Sequence, residues 1–169
     1  MTGNPLDWIF ARRSIRKYHA NQIEDEKVDL VLQAAMAAPS ANNAKPWHFI
    51  VVKTRPVLDQ LADIHPYGKM CYEAPLAIVV CGDPAISERY WIQDCSAATE
   101  NILLAGTALG LGTVWLGVHP RPERKGPLKK LFGVPDKMEI LSVVALGYPA
   151  ESKKARTQYD ANRVHHEAW

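Results

Sequence analysis

The sequence predicts an α+β domain in which a mixed or antiparallel sheet is flanked by helices. Two short apolar runs rich in β-branched residues, HFIVV at 48–52 and PLAIVVCG at 75–82, are bounded by Pro, Gly or Asp and indicate buried strands. The segment 91–109 carries small or apolar residues around most of its circumference, which is typical of a central buried helix. No repeats or low-complexity segments appear, so these elements favour one mixed domain.

The remaining elements of the first half follow from capping and periodicity. Asn4 is expected to cap a first helix that has Pro5 in its first turn. Residues 24–38 place apolar side chains at helical spacing behind an acidic first turn, which suits the helix dipole. Pro39 should end that helix, because proline disfavours helix at its neighbour. Residues 58–64 predict a short helix between the two strands.

The second half of the chain also alternates between predicted helices and strands. The sequence GLGTVWLG after the central helix indicates a turn into a strand. A basic helix interrupted by proline is predicted at 122–132, and another strand is predicted at 138–146. The tail 150–169 is polar and basic and has no apolar stripe, although it contains Tyr159 and Trp169. We expect the tail to wrap over a surface or over a partner subunit.

Composition excludes several classes of protein. A chain of 169 residues suits one domain with a substantial core, and a net charge of +2 is too small to imply a nucleic-acid partner. The three cysteines form no CxxC pair, so neither a disulfide framework nor a zinc site is expected. No segment approaches the roughly 20 apolar residues that cross a bilayer. A cytoplasmic protein without metal, nucleic-acid or membrane partners is therefore expected.

The stretch PSANNAKP at 39–46, here called the Pro39 loop, joins a helix directly to a strand. Ser40, Asn42 and Asn43 offer short polar groups and tolerate unusual backbone angles, while Pro46 restricts the chain before the strand. Such a loop can hold something flat and polar, or it can be an ordinary connector. The loop alone leaves both interpretations open.

Two basic clusters lie near opposite ends of the chain. Arg12, Arg13 and Arg16 surround Ser14 and form the first basic cluster; residues 153–156, with Lys153, Lys154 and Arg156, form the second. Guanidinium groups match phosphate oxygens in pairs, so each cluster is a candidate anion site. Taken alone, each is more often a solvated basic face. Together the clusters could hold one phosphate, but sequence spacing does not bring them together.

Other catalytic patterns are absent from the sequence. Gly106, Gly110 and Gly112 follow a helix in the order GxxxGxG, whereas a dinucleotide fingerprint needs strand, GxGxxG and then helix. Cys95 lies in the most apolar helix and is expected in the core, and Ser40 lacks a GxSxG context. No hydrolytic or metal-binding arrangement is indicated.

Four motifs in order, RRSIRKY, PSANNAKPWHFIVV, DCSAATENILLAGTALGLGTVWLG and ALGYPAESKKAR, cover nearly the whole chain. With them the chain resembles the FMN-dependent nitroreductase family in its short single-domain form. The resemblance implies one domain over 1–169, and an intertwined homodimer with two FMN sites shared at the interface. It also implies that 150–169 is an extension that packs on the partner subunit.

The resemblance implies a set of cofactor-binding residues and no catalytic side chain. The phosphate and ribityl chain would be bound by Arg12, Arg13, Ser14 and Arg16, with Lys154 and Arg156 as the other half of a phosphate clamp. The flavin would lie against Pro39, Ser40, Ala41 and Asn43 of the opposite subunit, with Lys69 near its ribityl and pyrimidine end and the backbone of Leu116 and Gly117 at N5. Lys45 stands where the family often has Gln.

The implied activity is that of an FMN-dependent oxidoreductase that takes hydride from NADH or NADPH and reduces nitroaromatic or quinone-type acceptors in a ping-pong cycle through flavin N5. Alternatives within the same fold are reductive dehalogenation and flavin fragmentation, which usually need a lid larger than the segment 83–90. A non-enzymatic flavin-binding or anion-binding protein is a further alternative. The sequence leaves open the acceptor, the nicotinamide preference and whether two or four electrons move.

Overall fold

The structure, a computed structural model, describes residues 4–169 and confirms the α+β class. The helices are α1 (Asp7–Ala11), α2 (Asp25–Met36), α3 (Arg55–Ile64), α4 (Trp91–Ala108) and α5 (Pro122–Phe132). The strands are β1 (Trp47–Val52), β2 (Leu76–Gly82), β3 (Gly112–Gly117) and β4 (Glu139–Gly147). Short 3₁₀ turns occupy Ala41–Asn43, Lys69–Tyr72 and Ala161–Arg163.

The strands form one four-stranded sheet in the order β1-β2-β4-β3, and every neighbouring pair is antiparallel. β1 and β3 are therefore the two edges of the sheet. The central strands β2 and β4 are buried at almost every position, which explains why their sequences are continuously apolar instead of alternating.

Helices cover both faces of the sheet. One core cluster joins α3 and α5 to one face through Leu58, Leu61 and Leu128. The other cluster joins α2 and α4 to the opposite face, with Val31 and Ile102 fully buried. Both faces of the sheet are therefore buried, and the candidate site lies at one of its edges.

The first helix differs from the sequence prediction. It begins at Asp7, and the Asn4 side chain accepts a hydrogen bond from the Leu6 N–H at 2.9 Å in a turn that precedes the helix. Asn4 therefore closes a local turn instead of capping α1. The third helix begins earlier than expected, at Arg55, because Pro56 fits its first turn.

The tail after residue 151 is largely exposed and makes little contact with the core. Trp169 is fully exposed and stacks on His165 with ring centroids 4.3 Å apart. Among residues 4–169, no helix combines the length and the apolar character needed to cross a membrane.

Candidate functional site

The fold brings the two basic clusters side by side. The chain after α1 runs along the edge strand β3, where the Ile15 N–H donates to the Thr113 carbonyl at 2.9 Å. The same segment pairs with the chain after β4, where the Ala150 N–H donates to the Lys17 carbonyl at 2.9 Å. The edge of β3 therefore positions both clusters, a proximity that sequence spacing could not show.

Side chains of each cluster bind the backbone of the other. The Arg13 guanidinium donates to the Lys154 carbonyl, and the Lys153 ammonium donates to the Ser14 carbonyl. These reciprocal contacts hold the clusters together in a single group of cations. A surface cavity of about 200 Å³ lies beside them, between the turn that links α4 to β3 and the chain at 149–153.

Most cations of the group lack a carboxylate partner. Within the described residues 4–169, no ion pair is made by Arg13, Arg16, Lys154 or Arg156. Arg12 is different, because its Nε lies 3.6 Å from Glu100 Oε1 on α4. Burial raises the pKa of Glu100, and the charge of Arg12 opposes that rise.

One carboxylate belongs to the group. Glu151 accepts a hydrogen bond from the Arg16 N–H and lies 3.2 Å from Lys153 Nζ. The backbone hydrogen bond is the main cause that lowers the pKa of Glu151, and Lys153 adds to it. Glu151 therefore organises the backbone, and the unpaired cations leave a net positive site suited to an anion.

Gly117, at the end of β3, faces open space. The Val118 N–H donates to the Leu141 carbonyl at 3.0 Å, so by the alternation of an antiparallel pair the Gly117 N–H points away from β4, toward the outer edge. A Cβ built on Gly117 would meet no atom within 4 Å. A planar ligand can therefore approach this backbone closely.

The anion site and Gly117 lie along one edge. Thr113 contacts the segment of the first basic cluster through the Ile15 N–H, and Gly117 lies four positions further along the extended strand, a span of roughly 13 Å. The outer edge of β3 thus has cations at one end and an outward-pointing N–H at the other.

His65 and Arg124 converge on the Gly117 carbonyl. His65 Nε2 lies 3.0 Å from this oxygen and Arg124 Nη1 lies 2.8 Å from it. The Tyr67 N–H donates to His65 Nδ1 at 3.2 Å, so Nε2 must carry the hydrogen. Burial lowers the pKa of His65, the bond to Gly117 opposes this, and the charge of Arg124 lowers it further. His65 is a neutral donor.

The Pro39 loop has a strained backbone. Asn42, Asn43 and Lys45 have positive φ angles of 53°, 56° and 53°. Asparagine tolerates this left-handed region, but for Lys45 the conformation costs about 1–2 kcal/mol. The Ser40 hydroxyl accepts a hydrogen bond from the Lys45 N–H at 3.0 Å, which holds the strained conformation. Conformational strain of this kind is concentrated at ligand-binding sites.

Asp94, a buried carboxylate in the first turn of α4, anchors this loop. Its Oδ1 accepts the Ala41 N–H at 2.9 Å and its Oδ2 accepts the Ser87 hydroxyl at 3.1 Å. Asp94 thereby ties the Pro39 loop to the segment 83–90. The signal in the sequence was an acidic residue in the first turn of a helix rich in small and apolar residues.

Not all of the predicted site residues come together in one chain. The Pro39 loop leads into β1, the edge opposite β3, and three strand spacings separate these edges by about 14 Å. Lys69 is exposed, with Nζ 4.0 Å from Asp63 and 5.2 Å from the centre of the Tyr72 ring. None of these contacts involves the basic clusters or Gly117.

The outer edge of β3 fits a ligand with an anionic end and a flat polar ring. The unpaired cations match the anion, and the open side of Gly117 can take the ring. Near Gly117, the buried Arg124 Nε has no hydrogen-bond partner among the described residues, and its nearest carboxylate oxygen, on Glu123, is 3.9 Å away. Within residues 4–169, no group of three or more His, Cys, Asp or Glu is arranged to hold a metal ion.

Comparison with known proteins identifies the same architecture. A profile of the nitroreductase family matches residues 9–65 and 65–148. A protein of Archaeoglobus fulgidus, provisionally named NADH dehydrogenase/NAD(P)H nitroreductase, is 49% identical over 97% of this chain and 98% of its own. A solved structure with the same provisional name, from Bacteroides thetaiotaomicron, has a TM-score of 0.95 at 44% identity and covers 99% of this chain and 100% of its own.

One further solved structure is informative about the ligand. A provisionally named nitroreductase from Desulfovibrio desulfuricans was solved in complex with FMN. It is 34% identical, has a TM-score of 0.84, and covers 99% of each chain.

Proposed function

The chain belongs to the nitroreductase family, and from this premise we propose that it binds FMN and transfers electrons from NADH or NADPH to a nitroaromatic or quinone-type acceptor. The observation that carries the proposal is the outer edge of β3, where cations without ion pairs among the described residues lie at one end and a glycine with an outward N–H and an open Cβ position lies at the other. The FMN complex of the 34% identical neighbour supports the choice of ligand.

The basic clusters would hold the phosphate. Arg13, Arg16, Lys154 and Arg156 are not neutralised by carboxylates within the described residues, so their donors are available to phosphate oxygens. Each charge-assisted hydrogen bond contributes about 1.5–3 kcal/mol. Ser14 would contact the ribityl chain from the same segment. Arg12, whose Nε lies 3.6 Å from Glu100 Oε1, would contribute through its remaining N–H donors.

The strand end at Leu116 and Gly117 would hold the ring. The Gly117 N–H can donate to N5, and the missing Cβ lets the ring plane lie against the backbone. When bound, FMN takes a hydride at N5 from the nicotinamide and later gives electrons to the acceptor. Donor and acceptor would bind the same face of the ring in turn, which would give ping-pong kinetics.

A second copy of the chain would complete the site. In one chain the Pro39 loop lies at the sheet edge opposite Gly117, so Pro39, Ser40, Ala41 and Asn43 would reach the flavin from the partner. An apolar groove of about 360 Å³ between α1, α2 and α4 supports such an association, and Trp8, Leu30 and Met36 are exposed beside or near it. The tail 150–169 would pack on the partner.

Sedimentation equilibrium of the FMN-loaded protein tests the shared site. A dimer with two FMN is expected. A monomer that retains one tightly bound FMN would contradict the assignment of the Pro39 loop to the partner's site.

Titration of the flavin-free protein with FMN and with riboflavin tests the ligand itself. Riboflavin has the same ring and ribityl chain but no phosphate, so it is a matched control for the basic clusters. We expect tight FMN binding and riboflavin binding weaker by at least about 100-fold, since two or more charge-assisted contacts are lost. Equal affinities would contradict the phosphate assignment, and no binding of either flavin would contradict the proposed function.

A panel of acceptors separates the related chemistries. The segment 83–90 is short and tied down through Ser87 and Asp94, which favours an open pocket and acceptor reduction over reactions that need a large lid. Release of halide, or breakdown of the flavin itself, would indicate one of the other reactions of this fold. Flavin binding without oxidation of NADH or NADPH would indicate a carrier.

A further inference from the structure

We propose that His65 and Arg124 are positioning residues that lock the Gly117 carbonyl, and through it set the direction in which the Gly117 N–H meets the flavin ring. The proposal rests on the proposed function, because it concerns the same ring site. It assigns a role to two residues outside the basic clusters and the Pro39 loop.

The peptide after Gly117 is bound on both sides. Its carbonyl accepts from His65 Nε2 at 3.0 Å and from Arg124 Nη1 at 2.8 Å. Its N–H, that of Val118, donates to the Leu141 carbonyl at 3.0 Å. A peptide plane held by donors on one side and an acceptor on the other cannot rotate without losing hydrogen bonds.

Gly117 needs such a lock more than another residue would. Glycine has the widest range of backbone angles, and Gly117 has no side chain or neighbour on its open side to restrict it. The Gly117 N–H belongs to the preceding peptide, which the two backbone torsions of Gly117 join to the locked one, so a rotation at Gly117 would misdirect the N–H and weaken its hydrogen bond to a ligand. Two donors from α5 and from the residue after α3 supply the restriction that packing does not.

The two donors are themselves fixed by their surroundings. His65 is 1% exposed, and the Tyr67 N–H on Nδ1 holds its ring in the Nε2–H form. The Arg124 guanidinium lies 5.4 Å from the centre of the Tyr67 ring. One short segment, 65–67, therefore contacts both donors, His65 through the Tyr67 N–H and Arg124 through the exposed Tyr67 ring.

The test uses FMN-loaded wild-type protein and the variants His65→Gln, His65→Leu and Arg124→Gln. Glutamine at 65 retains an N–H donor of similar reach, whereas leucine removes it. Lys130→Gln is the matched control, because Lys130 is exposed on the same helix as Arg124 and makes no ion pair within the described residues. The readouts are the midpoint potential of the bound flavin, its visible spectrum, and the single-turnover rate of reduction by NADH.

We expect His65→Leu and Arg124→Gln each to shift the midpoint potential and to slow reduction by about tenfold, while the FMN dissociation constant changes less than about threefold. His65→Gln should recover most of the wild-type rate. Wild-type potential and rate in Arg124→Gln would overturn the proposal, as would equal damage in His65→Gln and His65→Leu. If His65→Leu does not fold, Arg124→Gln decides alone. Failure of the wild type to bind FMN would instead reject the proposed function.

Discussion

The most specific prediction concerns Arg13, because its guanidinium helps to hold the two basic clusters together and can also donate to a phosphate. Its guanidinium donates to the Lys154 carbonyl and makes no ion pair within the described residues. Arg13→Ala removes one of the two side-chain contacts between the clusters and also the donors for the ligand. Arg13→Lys keeps the charge but loses the paired donor geometry.

The expected magnitude follows from the contacts that are lost. One charge-assisted hydrogen bond to phosphate contributes about 1.5–3 kcal/mol, and 1.4 kcal/mol corresponds to a factor of ten in the dissociation constant. Arg13→Ala should therefore weaken FMN binding by about 10- to 100-fold. The effect should lie at the upper end, because the Lys154 carbonyl also loses its donor and one of the two side-chain contacts between the clusters is lost. Arg13→Lys should weaken binding by about tenfold.

Isothermal titration calorimetry of flavin-free protein with FMN measures the effect, with Lys130→Ala as a control for the loss of one exposed positive charge. Riboflavin should bind to Arg13→Ala and to wild type with nearly the same affinity, because it has no phosphate to lose. Binding of FMN to Arg13→Ala within about twofold of wild type would refute the phosphate assignment.

Three further predictions concern stability and local geometry. Asp94→Ala should lower the free energy of unfolding by about 2–5 kcal/mol in urea titrations, because two donors lose their buried acceptor; an unchanged midpoint would contradict the anchoring role. Gly117→Ala should leave the melting temperature unchanged but weaken FMN binding. Gly112→Ala should lower the free energy of unfolding by about 1–3 kcal/mol, since its Cβ would lie 2.6 Å from Ile15 Cγ2. The reverse pattern would contradict the open side of Gly117. Because the pKa of His65 is lower in the folded protein, the unfolded chain binds a proton at His65 more readily than the folded chain does. The stability gained from neutral His65 is therefore present above about pH 6.5 and is lost as the pH falls through the lower folded pKa. His65→Gln should flatten this dependence in melts between about pH 7 and 5.

The sequence predicted the class of fold and most elements because their patterns are local. α4 and α5 match the predicted ranges closely, since periodicity and proline or glycine boundaries define them. The error at α1 arose because Asn4 can form a turn as readily as a helix cap.

The site was only partly predictable, because its geometry depends on contacts between distant segments. The pairing of Ile15 with β3 and of Lys17 with Ala150, which joins the basic clusters, has no local signature. His65 was one of several scattered histidines, and only the fold shows that it meets Gly117. Ser40 and the rest of the Pro39 loop precede β1, the sheet edge opposite Gly117, so no local pattern relates them to the outer edge of β3.

The most direct test of the central claim is an anaerobic titration of the FMN-loaded protein with NADH and with NADPH, followed in the visible absorption of the flavin. The account predicts complete bleaching by one equivalent of at least one nicotinamide per flavin, and full recovery of the absorption when a quinone or nitroaromatic acceptor is added. A protein that binds FMN but whose absorption is unchanged by either nicotinamide would contradict it.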